Sequence, residues 1–368
     1  MDFWFFLNSI LFGIALAMDA FSVSIANGMH EPCIKRKKII LIASIFAIFQ
    51  GIMPLIGWIC VHTIVEKFTI FDKFIPYIAL GLLSFLGVKM ILDGKKAAQI
   101  IKNKISEETN KAGEDITLAI IEVGDDQASQ IYLASKQRAC EEVGIKSKVY
   151  QFASTATQKE LITLINELNK DNSINAIMVQ SPLPNHIDEE LVLNAVDPIK
   201  DVDGLSIQNQ GRLLKKLPCV VPATAQASIS LLKINNIDIT GKNVVVIGRS
   251  TIVGKPLALL FLNENATVTI AHSKTQNLKE ITKKADILAV AIGKPKFITG
   301  DMVKKDAVVL DIGINRVAGK MCGDVDFDSV SEVASYISPV PGGVGPVTTA
   351  ILLQNVIKCY KEQKMKRD

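Results

Sequence analysis

Apolar residues are distributed unevenly along the chain and divide it into two parts. Residues 1–92 are dominated by Ile, Leu, Phe and Ala, whereas residues 93–368 alternate short apolar runs with charged and Gly-containing stretches. The first part contains three long apolar runs, at 3–26, 39–65 and 74–92. Each run could cross a hydrocarbon core of about 30 Å at about 1.5 Å per residue. The pattern therefore predicts three transmembrane helices in residues 1–92.

The loops between these runs predict their orientation. The loop at 30–38, HEPCIKRKK, carries four Lys and Arg residues, whereas the loop at 66–74, EKFTIFDKF, balances two lysines with two acids. The positive-inside rule places the first loop in the cytoplasm. We therefore expect the full-length chain in the inner or plasma membrane, with residues 93–368 in the cytoplasm.

One acidic residue, Asp19, lies inside the first apolar run. A carboxylate at the middle of a membrane helix costs about 2.5–3.5 kcal/mol on insertion scales and points to function by default. Two interpretations stay open. Asp19 either is a ligand on a metal path or faces a neighbouring helix and binds nothing.

Strands and helices alternate in the second part, which predicts an α/β fold with two parallel-sheet domains. Short β-branched runs predict the strands of a first sheet, at 116–124, 147–152 and 175–180. Helices are predicted between them at 128–143 and 157–168, the latter opening on the capping box TQKE.

The alternation restarts after a Pro-containing stretch and predicts a Rossmann-like nucleotide-binding unit. Its strands are predicted at 243–248, 266–273, 286–293, 307–314 and 336–340, and its helices at 255–264 and 348–363. We therefore expect three parts. They are a membrane segment at 1–92, a catalytic domain at 93–224 completed by 346–368, and a nucleotide-binding domain at 225–345.

Composition narrows the functional classes. The net charge of +4 gives no reason to expect a nucleic-acid partner. The six cysteines show no CxxC spacing, so free thiols in a reducing compartment are the expected state. No cluster of His and Cys with metal-ligand spacing is present in the sequence.

The stretch GRSTIVGKP at 248–256 follows a predicted strand and opens a predicted helix, where backbone amides favour phosphate. The next strand ends in AHSK at 271–274 instead of the acidic residue that usually binds the ribose of NAD. This positive, donor-rich end favours the 2′-phosphate of NADP over a plain turn. The candidate cofactor residues are Gly248, Arg249, Ser250, Gly254, Lys255, Pro256, His272 and Ser273.

Four polar residues of the first domain could surround one crevice. Tyr132 and Lys136 are i and i+4 on a predicted helix, so they share a face at about 6 Å. Gln180 ends a predicted strand and Asp203 lies in the loop KDVDGL. Taken singly, each could be a solvated surface residue, a strand cap or a turn. Taken together, they bring a phenol, an amine, an amide and a carboxylate to the ligand-binding edge of the sheet.

A rigid loop follows the last predicted strand. The stretch PVPGGVGPVTTA begins at residue 339 and contains three prolines and three glycines in its first eight positions. Its backbone could approach a ligand closely. The candidate substrate contacts there are Pro341, Gly342 and Gly343.

From about Met90 to its last residue the chain resembles the bifunctional methylenetetrahydrofolate dehydrogenase/methenyltetrahydrofolate cyclohydrolase family of FolD type. The resemblance is carried, in order, by ILDGKKAAQ, ASQIYLASKQRACEEVGI, VQSPLP, KDVDGL, VVVIGRSTIVGKP, AVAIGKPKFITGDMV, LDIGINRV, GDVDF and PVPGGVGPVT. It implies oxidation of methylenetetrahydrofolate with NADP, hydrolysis of the methenyl cation to formyltetrahydrofolate, and a homodimer formed through the nucleotide-binding domain.

The resemblance also implies residue roles. Lys136 would be the catalytic lysine of the hydrolysis, Gln180 the partner that holds and tunes it, and Tyr132 the residue that orients the folate. Asp203 would bind the pterin ring, and Ile314, in LDIGINRV, would contact the cofactor. The chain departs from the family pattern at Ser181 and in the loops at 206–210 and 222–225, which flank the expected folate crevice.

The first part resembles a different family. The stretches AMDAFSVSI, GIMPLIGW and FLGVKMILDG are similar to the first half of MntP-type manganese exporters, which makes Asp19 a candidate metal-path ligand. The hexapeptide KMILDG fits both the end of an exporter helix and the first strand of the enzyme. Met90 stands where such enzymes begin, and a chain started there is expected to be soluble.

Two other functions are weighed against the folate enzyme. One is a manganese or other cation transporter half with a cytosolic nucleotide-binding domain, suggested by Asp19. The other is a nucleotide-binding module without catalysis, suggested by the altered loops.

Overall fold

The computed structural model of the chain describes residues 91–124, 127–317 and 319–367, and five isolated helical positions at 44, 48, 52, 55 and 56. For residues 127–132 and 367 it describes the backbone alone. The chain divides into two compact units, Met1–Leu86 and Gly87–Asp368.

The predicted membrane segment, including Asp19, lies outside the described residues apart from the five isolated positions. Four of these are exposed apolar side chains, namely Ile48, Ile52, Leu55 and Ile56. Among the residues that the structure describes, no helix is both long and apolar enough to cross a bilayer. The three transmembrane helices therefore remain a prediction.

The predicted end of the third apolar run, at residue 92, was wrong. Ile91 forms a bridge with Ile337, and the backbone N–H of Leu92 donates to the Ile337 carbonyl at 3.0 Å. Leu92 is fully buried. Both residues therefore belong to the second unit, as the alternative interpretation of KMILDG predicted.

The first sheet contains the three predicted strands, which are parallel as expected and lie in the order β2-β1-β3. Its strands are β1 Thr117–Val123, β2 Lys146–Phe152 and β3 Ala176–Val179. The helices around it are α1 Gly94–Ala112, α2 Gln127–Glu142, α3 Gln158–Lys170 and α4 Glu189–Ala195. Helix α1 was not predicted from the sequence.

Two helix starts follow directly from local sequence. The Asp93 carboxylate caps α1 by accepting from the N–H groups of Lys95 and Lys96. At the start of α3, Thr157 and Glu160 form the predicted capping box, each side chain accepting from the other's backbone N–H.

The second sheet has five parallel strands in the order β10-β7-β6-β4-β5. Its strands are β4 Asn243–Ile247, β5 Thr267–Ala271, β6 Ile287–Val290, β7 Val308–Asp311 and β10 Tyr336–Ile337. An antiparallel hairpin is inserted after β7, formed by β8 Asn315–Val317 and β9 Lys320–Cys322. The connecting helices are α7 Gly254–Asn263, α8 Leu278–Thr282 and α9 Phe327–Ser331.

Three helices join the sheets, namely α5 Ile207–Leu214, α6 Ala223–Ile234 and α10 Val344–Arg367. Helix α10 packs against α1 and α6, and one buried apolar cluster runs from β1 through these helices to β4. Separate clusters cover the opposite face of each sheet. This packing holds the carboxyl ends of both sheets around a common crevice.

Candidate functional site

The crevice has a volume of about 770 Å³ and is bounded by the faces of α1 and α2, the end of β7 and the loop that precedes α10. A smaller recess of about 120 Å³ forms its inner end. Lys136, Thr224, Thr348 and Thr349 line both cavities. This position, at the carboxyl ends of parallel strands, is where α/β proteins bind ligands.

Lys136 is held at the centre of the crevice by Gln180. The Lys136 ammonium donates to Gln180 Oε1 at 2.7 Å and lies 3.7 Å from Met178 Sδ. Gln180 is fixed in turn, because its backbone N–H donates to the Ile121 carbonyl at 2.9 Å. The predicted amine–amide pair is therefore present, although the two residues are 44 positions apart.

Burial and charge act against each other on this lysine. Burial lowers the pKa of Lys136, while the carboxylates of Asp203 and Glu122 raise it in part. Burial likewise raises the pKa of Asp203 to about 6, against the attraction of Lys136. Shifted pKa values of this kind mark candidate sites of proton transfer.

The loop that carries Asp203 is shaped by its neighbour Asp201. The buried Asp201 carboxylate accepts from the backbone N–H groups of Leu205 and Ser206 and from Asn209 Nδ2 at 3.0 Å. Both Asp201 oxygens therefore hold the turn together, whereas Asp203 lines the smaller recess.

The Gly-rich loop before α10 forms one wall of the crevice and rests on the start of α1. Pro341, Gly342 and Gly343 all line the cavity. The Gly94 N–H donates to the Gly342 carbonyl at 3.0 Å, and a Cβ on Gly94 would lie 1.6 Å from the Gly343 oxygen. This contact explains why a glycine must follow the capping Asp93.

The predicted phosphate loop lies between β4 and α7. Gly248 has φ +127°, and a Cβ there would lie 2.3 Å from the Ala291 oxygen. A Cβ on Gly254 would meet the Gly248 oxygen, also at 2.3 Å. The loop thus leaves room only for glycine at both positions. Ser250 Oγ accepts from the N–H groups of Val253 and Gly254, while Arg249 and Lys255 are exposed.

The predicted ribose end lies next to this loop, because β5 pairs with β4 in parallel up to Ala271. His272 Nδ1 accepts from the Lys274 N–H at 3.2 Å, which leaves the proton of a neutral ring on Nε2. Ser273 and Lys274 are exposed, and Pro256 is buried in α7. The donors and positive charges here fit a dinucleotide that carries an additional phosphate.

Two buried carboxylates brace the hairpin that carries Ile314 into the crevice. Asp311 accepts from the N–H groups of Asp324 and Val325, and Asp324 accepts from those of Ile292, Gly293 and Lys294. Burial raises the pKa of Asp311 to about 7. Ile314 lines the crevice and is 51% exposed.

Not all of the predicted site residues line the crevice. Lys136, Asp203, Ile314 and the loop at 341–343 line the crevice, whereas the phosphate loop reaches it only through Ile252. The Tyr132 side chain lies outside the described residues, although its backbone is one helical turn before Lys136.

Sequence reasoning missed one charged residue of the site. Glu122 is 1% exposed at the end of β1, although it interrupts the apolar run ITLAIIEVG visibly. It also missed the polar face of α1 at Lys95, Gln99 and Lys102, which lines the outer crevice. In the described part of the chain no group of three His, Cys, Asp or Glu could hold a metal ion.

Comparison with known families matches three models to the chain. The catalytic domain of tetrahydrofolate dehydrogenase/cyclohydrolase matches residues 92–203, and the NAD(P)-binding domain of the same family matches residues 222–364. A putative manganese efflux pump model matches residues 33–121. Its last 30 residues overlap the catalytic-domain match, and in the structure this overlap contains α1 and part of β1.

Individual proteins agree with the first two matches. A bifunctional FolD protein of Agathobacter rectalis is 53% identical over 275 residues, which cover 74% of this chain and 99% of that protein. The crystal structure of FolD from Campylobacter jejuni is 47% identical with a TM-score of 0.73, covering 74% of this chain and 99% of its own. A FolD structure of Trypanosoma brucei, complexed with NADP and an inhibitor, is 36% identical with a TM-score of 0.71 and covers 74% and 98%.

Proposed function

Because this chain belongs to the bifunctional tetrahydrofolate dehydrogenase/cyclohydrolase family of FolD proteins, we propose that its crevice carries out both reactions of that family. The chain is an NADP-dependent methylenetetrahydrofolate dehydrogenase and a methenyltetrahydrofolate cyclohydrolase. This function is supported over that of a transporter half. The observation that carries the site assignment is the bond between Lys136 and Gln180 inside the crevice.

In the first reaction a hydride leaves the methylene carbon of the substrate, and NADP, when bound, accepts it. Gly248, Arg249, Ser250 and Gly254 would hold the phosphates, with Lys255 and Pro256 at the start of α7. His272 and Ser273 would face the ribose phosphate, and Ile314 would contact the cofactor from the hairpin. Loss of a hydride leaves no proton to remove, so this step needs positioning and no base.

In the second reaction water adds to the methenyl carbon and loses one proton. A carbon–nitrogen bond of the ring then breaks, as the remaining hydroxyl proton leaves the oxygen and the released nitrogen gains a proton, which gives formyltetrahydrofolate. Lys136 is suited to take that proton, because burial lowers its pKa and so favours the neutral amine. Gln180 keeps the amine pointed into the crevice. Asp203 would bind the pterin and Tyr132 would orient it, while Pro341, Gly342 and Gly343 close over the folate.

The test is to separate the two reactions with Lys136→Gln in the full-length chain. Purified protein with methylenetetrahydrofolate and NADP should produce NADPH and then formyltetrahydrofolate, both followed by absorbance. The variant should hydrolyse the methenyl compound at least 100-fold more slowly while hydride transfer falls less than tenfold. Lys159→Gln, on the exposed side of α3, serves as the control and should change neither rate.

Absence of NADPH formation by the parent chain would contradict the enzyme assignment and leave a nucleotide-binding module. An equal loss of both reactions in Lys136→Gln would instead contradict the division of roles, while leaving the enzyme assignment in place.

We also propose a division of the enzyme into a folate-binding part, 93–224 with 346–368, and an NADP-binding part, 225–345. The return of α10 onto α1 supports it. A homodimer through the NADP-binding part is supported by strand β5, which lies at the sheet edge and exposes 43% of Ile270.

Finally, we propose that the apolar runs that precede Ile91 hold the enzyme at the cytoplasmic face of a membrane. The apolar runs and the manganese efflux pump match support this proposal. Fractionation of cells that produce the full chain should recover the dehydrogenase with the membranes. Recovery in the soluble fraction, with a mass corresponding to a start at Met90, would contradict it.

A further inference from the structure

A buried carboxylate on β1 lies beneath the proposed catalytic lysine. Glu122 is 1% exposed, although a charged side chain rarely enters a strand core without a specific role. Ile120 and Leu118, two and four positions earlier on the same face of β1, belong to one buried cluster with Leu133 and Cys140 of α2. Because side chains alternate across a strand, Glu122 faces α2 as they do.

The register of the sheet places Glu122 beside the partner of Lys136. Strand β1 pairs with β3 in parallel, with Ile120 opposite Met178 and Ile121 opposite Val179. One further position along that register sets Glu122 opposite Gln180, and side chains directly opposite lie about 5 Å apart at Cβ. Met178 and Gln180 are the two residues that the Lys136 ammonium contacts.

We propose that Glu122 is a positioning residue of this site, whose buried carboxylate sets the basicity of Lys136 from below. This inference rests on the proposed role of Lys136 in the hydrolysis. A lysine stripped of water and left without a nearby anion would be neutral but a poor proton acceptor. A carboxylate beneath it restores part of its proton affinity, so that it both accepts the proton of the attacking water and releases it afterwards.

The effect of Glu122 on Lys136 can be distinguished from the effects of the other groups that surround the ammonium. Asp203 approaches from the loop before α5, Cys140 from the next turn of α2, and the neutral Gln180 and Met178 from β3. Asp203 lines the recess and is assigned to the substrate, so its charge is engaged when folate binds. Glu122 is assigned no contact with substrate, so its place beside Lys136 stays the same when folate binds.

The experiment is Glu122→Gln in the full-length chain, which removes the charge and preserves the shape. The pH dependence of cyclohydrolase kcat/KM should shift to lower pH by about 0.5–1 unit, because an opposite charge nearby is worth this much or more. Glu122→Asp, which keeps the charge, should return the pH profile most of the way to that of the parent. Dehydrogenase kcat and the KM for NADP should stay within twofold, which shows that the variant is folded. Glu141→Gln, an exposed carboxylate on α2, is the matched control.

A second readout does not depend on turnover. The rate at which an amine-reactive reagent modifies Lys136 across pH, followed by peptide mass spectrometry, should shift in the same direction in Glu122→Gln. An unchanged modification profile, or a shift to higher pH, would overturn the inference. A shifted modification profile with an unshifted cyclohydrolase profile would support the charge effect and overturn the role of Lys136 in hydrolysis.

Discussion

At the scale of single residues, the proposed hydrolysis depends on the pKa of the Lys136 amine, on which burial and nearby charges act in opposite directions. Burial lowers the pKa of Lys136, the nearby carboxylates raise it, and the neutral amide of Gln180 fixes its direction without adding charge. The sequence identified Lys136, Gln180 and Asp203 through their motifs. It could not show that Glu122 joins them, because that depends on the pairing register of strands separated by 50 residues or more.

Replacing the neutral partner of Lys136, Gln180, with a carboxylate should raise the pKa of the lysine. In Gln180→Glu, a carboxylate within hydrogen-bond distance stabilises the ammonium and raises the pKa of Lys136. Cyclohydrolase activity at pH 7 should fall at least tenfold and recover at higher pH, as measured by a pH–rate profile. Gln158→Glu, outside the crevice, adds the same charge and should have no effect. A fall that is equal at every pH would indicate damage to folate binding instead.

At the scale of elements, the site is assembled by segments that contact one another through glycines. Most strands were predicted within a few residues, since β-branched runs between turns are a strong local signal. Helix α10 was predicted from 348 but begins at Val344, because Pro346 is tolerated in the first turn. Helix α1 was missed, although Ala97, Ala98, Ile101 and Ile105 form its buried stripe. The apolar run directly before it concealed its start.

The contact between α1 and the Gly-rich loop should not tolerate a side chain. In Gly94→Ala the new Cβ would overlap the Gly343 oxygen and displace the wall of the crevice. We expect at least a tenfold loss of dehydrogenase kcat/KM for the folate substrate, with a smaller change in the KM for NADP. Gly211→Ala, with no atom within 4 Å of the new Cβ, is the control and should retain full activity. Equal kinetics for the two variants would disprove the contact.

The outer crevice has a basic wall made by two helices. Lys95 and Lys102 of α1 and Arg138 of α2 line it, with Glu142 paired to Lys102 at the far end. Tetrahydrofolate ends in a glutamate, whose carboxylates this wall would attract. The double variant Lys95→Gln/Arg138→Gln should raise the KM for methylenetetrahydrofolate about threefold to tenfold with unchanged kcat. High salt should reduce the difference, because exposed charges are screened. Lys96→Gln is the control, since Lys96 does not line the crevice. A change in kcat alone would rule out an effect on binding.

The brace around the hairpin predicts a pH dependence of stability. The folded-state pKa of Asp311, about 7, lies above its unfolded value of 3.8. A raised pKa contributes stability that is fully present below the unfolded value and is lost as pH rises through about 7. The temperature of half-inactivation should therefore fall between about pH 4 and 7, and fall less steeply in Asp311→Asn. Asp328→Asn, on α9, is the control. Identical slopes for parent and Asp311→Asn would contradict the assignment.

At the scale of the whole molecule, the order of the motifs along the sequence was enough to predict the family, and two domain models of that family match residues 92–203 and 222–364. What sequence alone could not give is the joining of both sheets by α6 and α10 into one core, because it depends on contacts between distant segments. The membrane segment, with Asp19, stays a prediction.

The exposed edge of the second sheet should be an interface between two copies. An unpaired strand edge with an apolar side chain is a natural site of association. Ile270→Lys on β5 should convert a dimer into a monomer, measured as the native mass of the full chain in detergent. Thr240→Lys is the control, because it adds the same charge at an exposed position before β4 and away from the β5 edge. A parent chain that is already monomeric would disprove the interface.

The pairing of Ile91 and Leu92 with the last strand has a mechanical consequence. The backbone N–H of Leu92 donates to the Ile337 carbonyl, and the next residue, Asp93, caps helix α1. Gly94 then contacts the Gly-rich loop that forms the crevice wall. There is no slack between the point of entry and the folate loop. A pull or twist applied at residue 91 would therefore reach that loop within four residues.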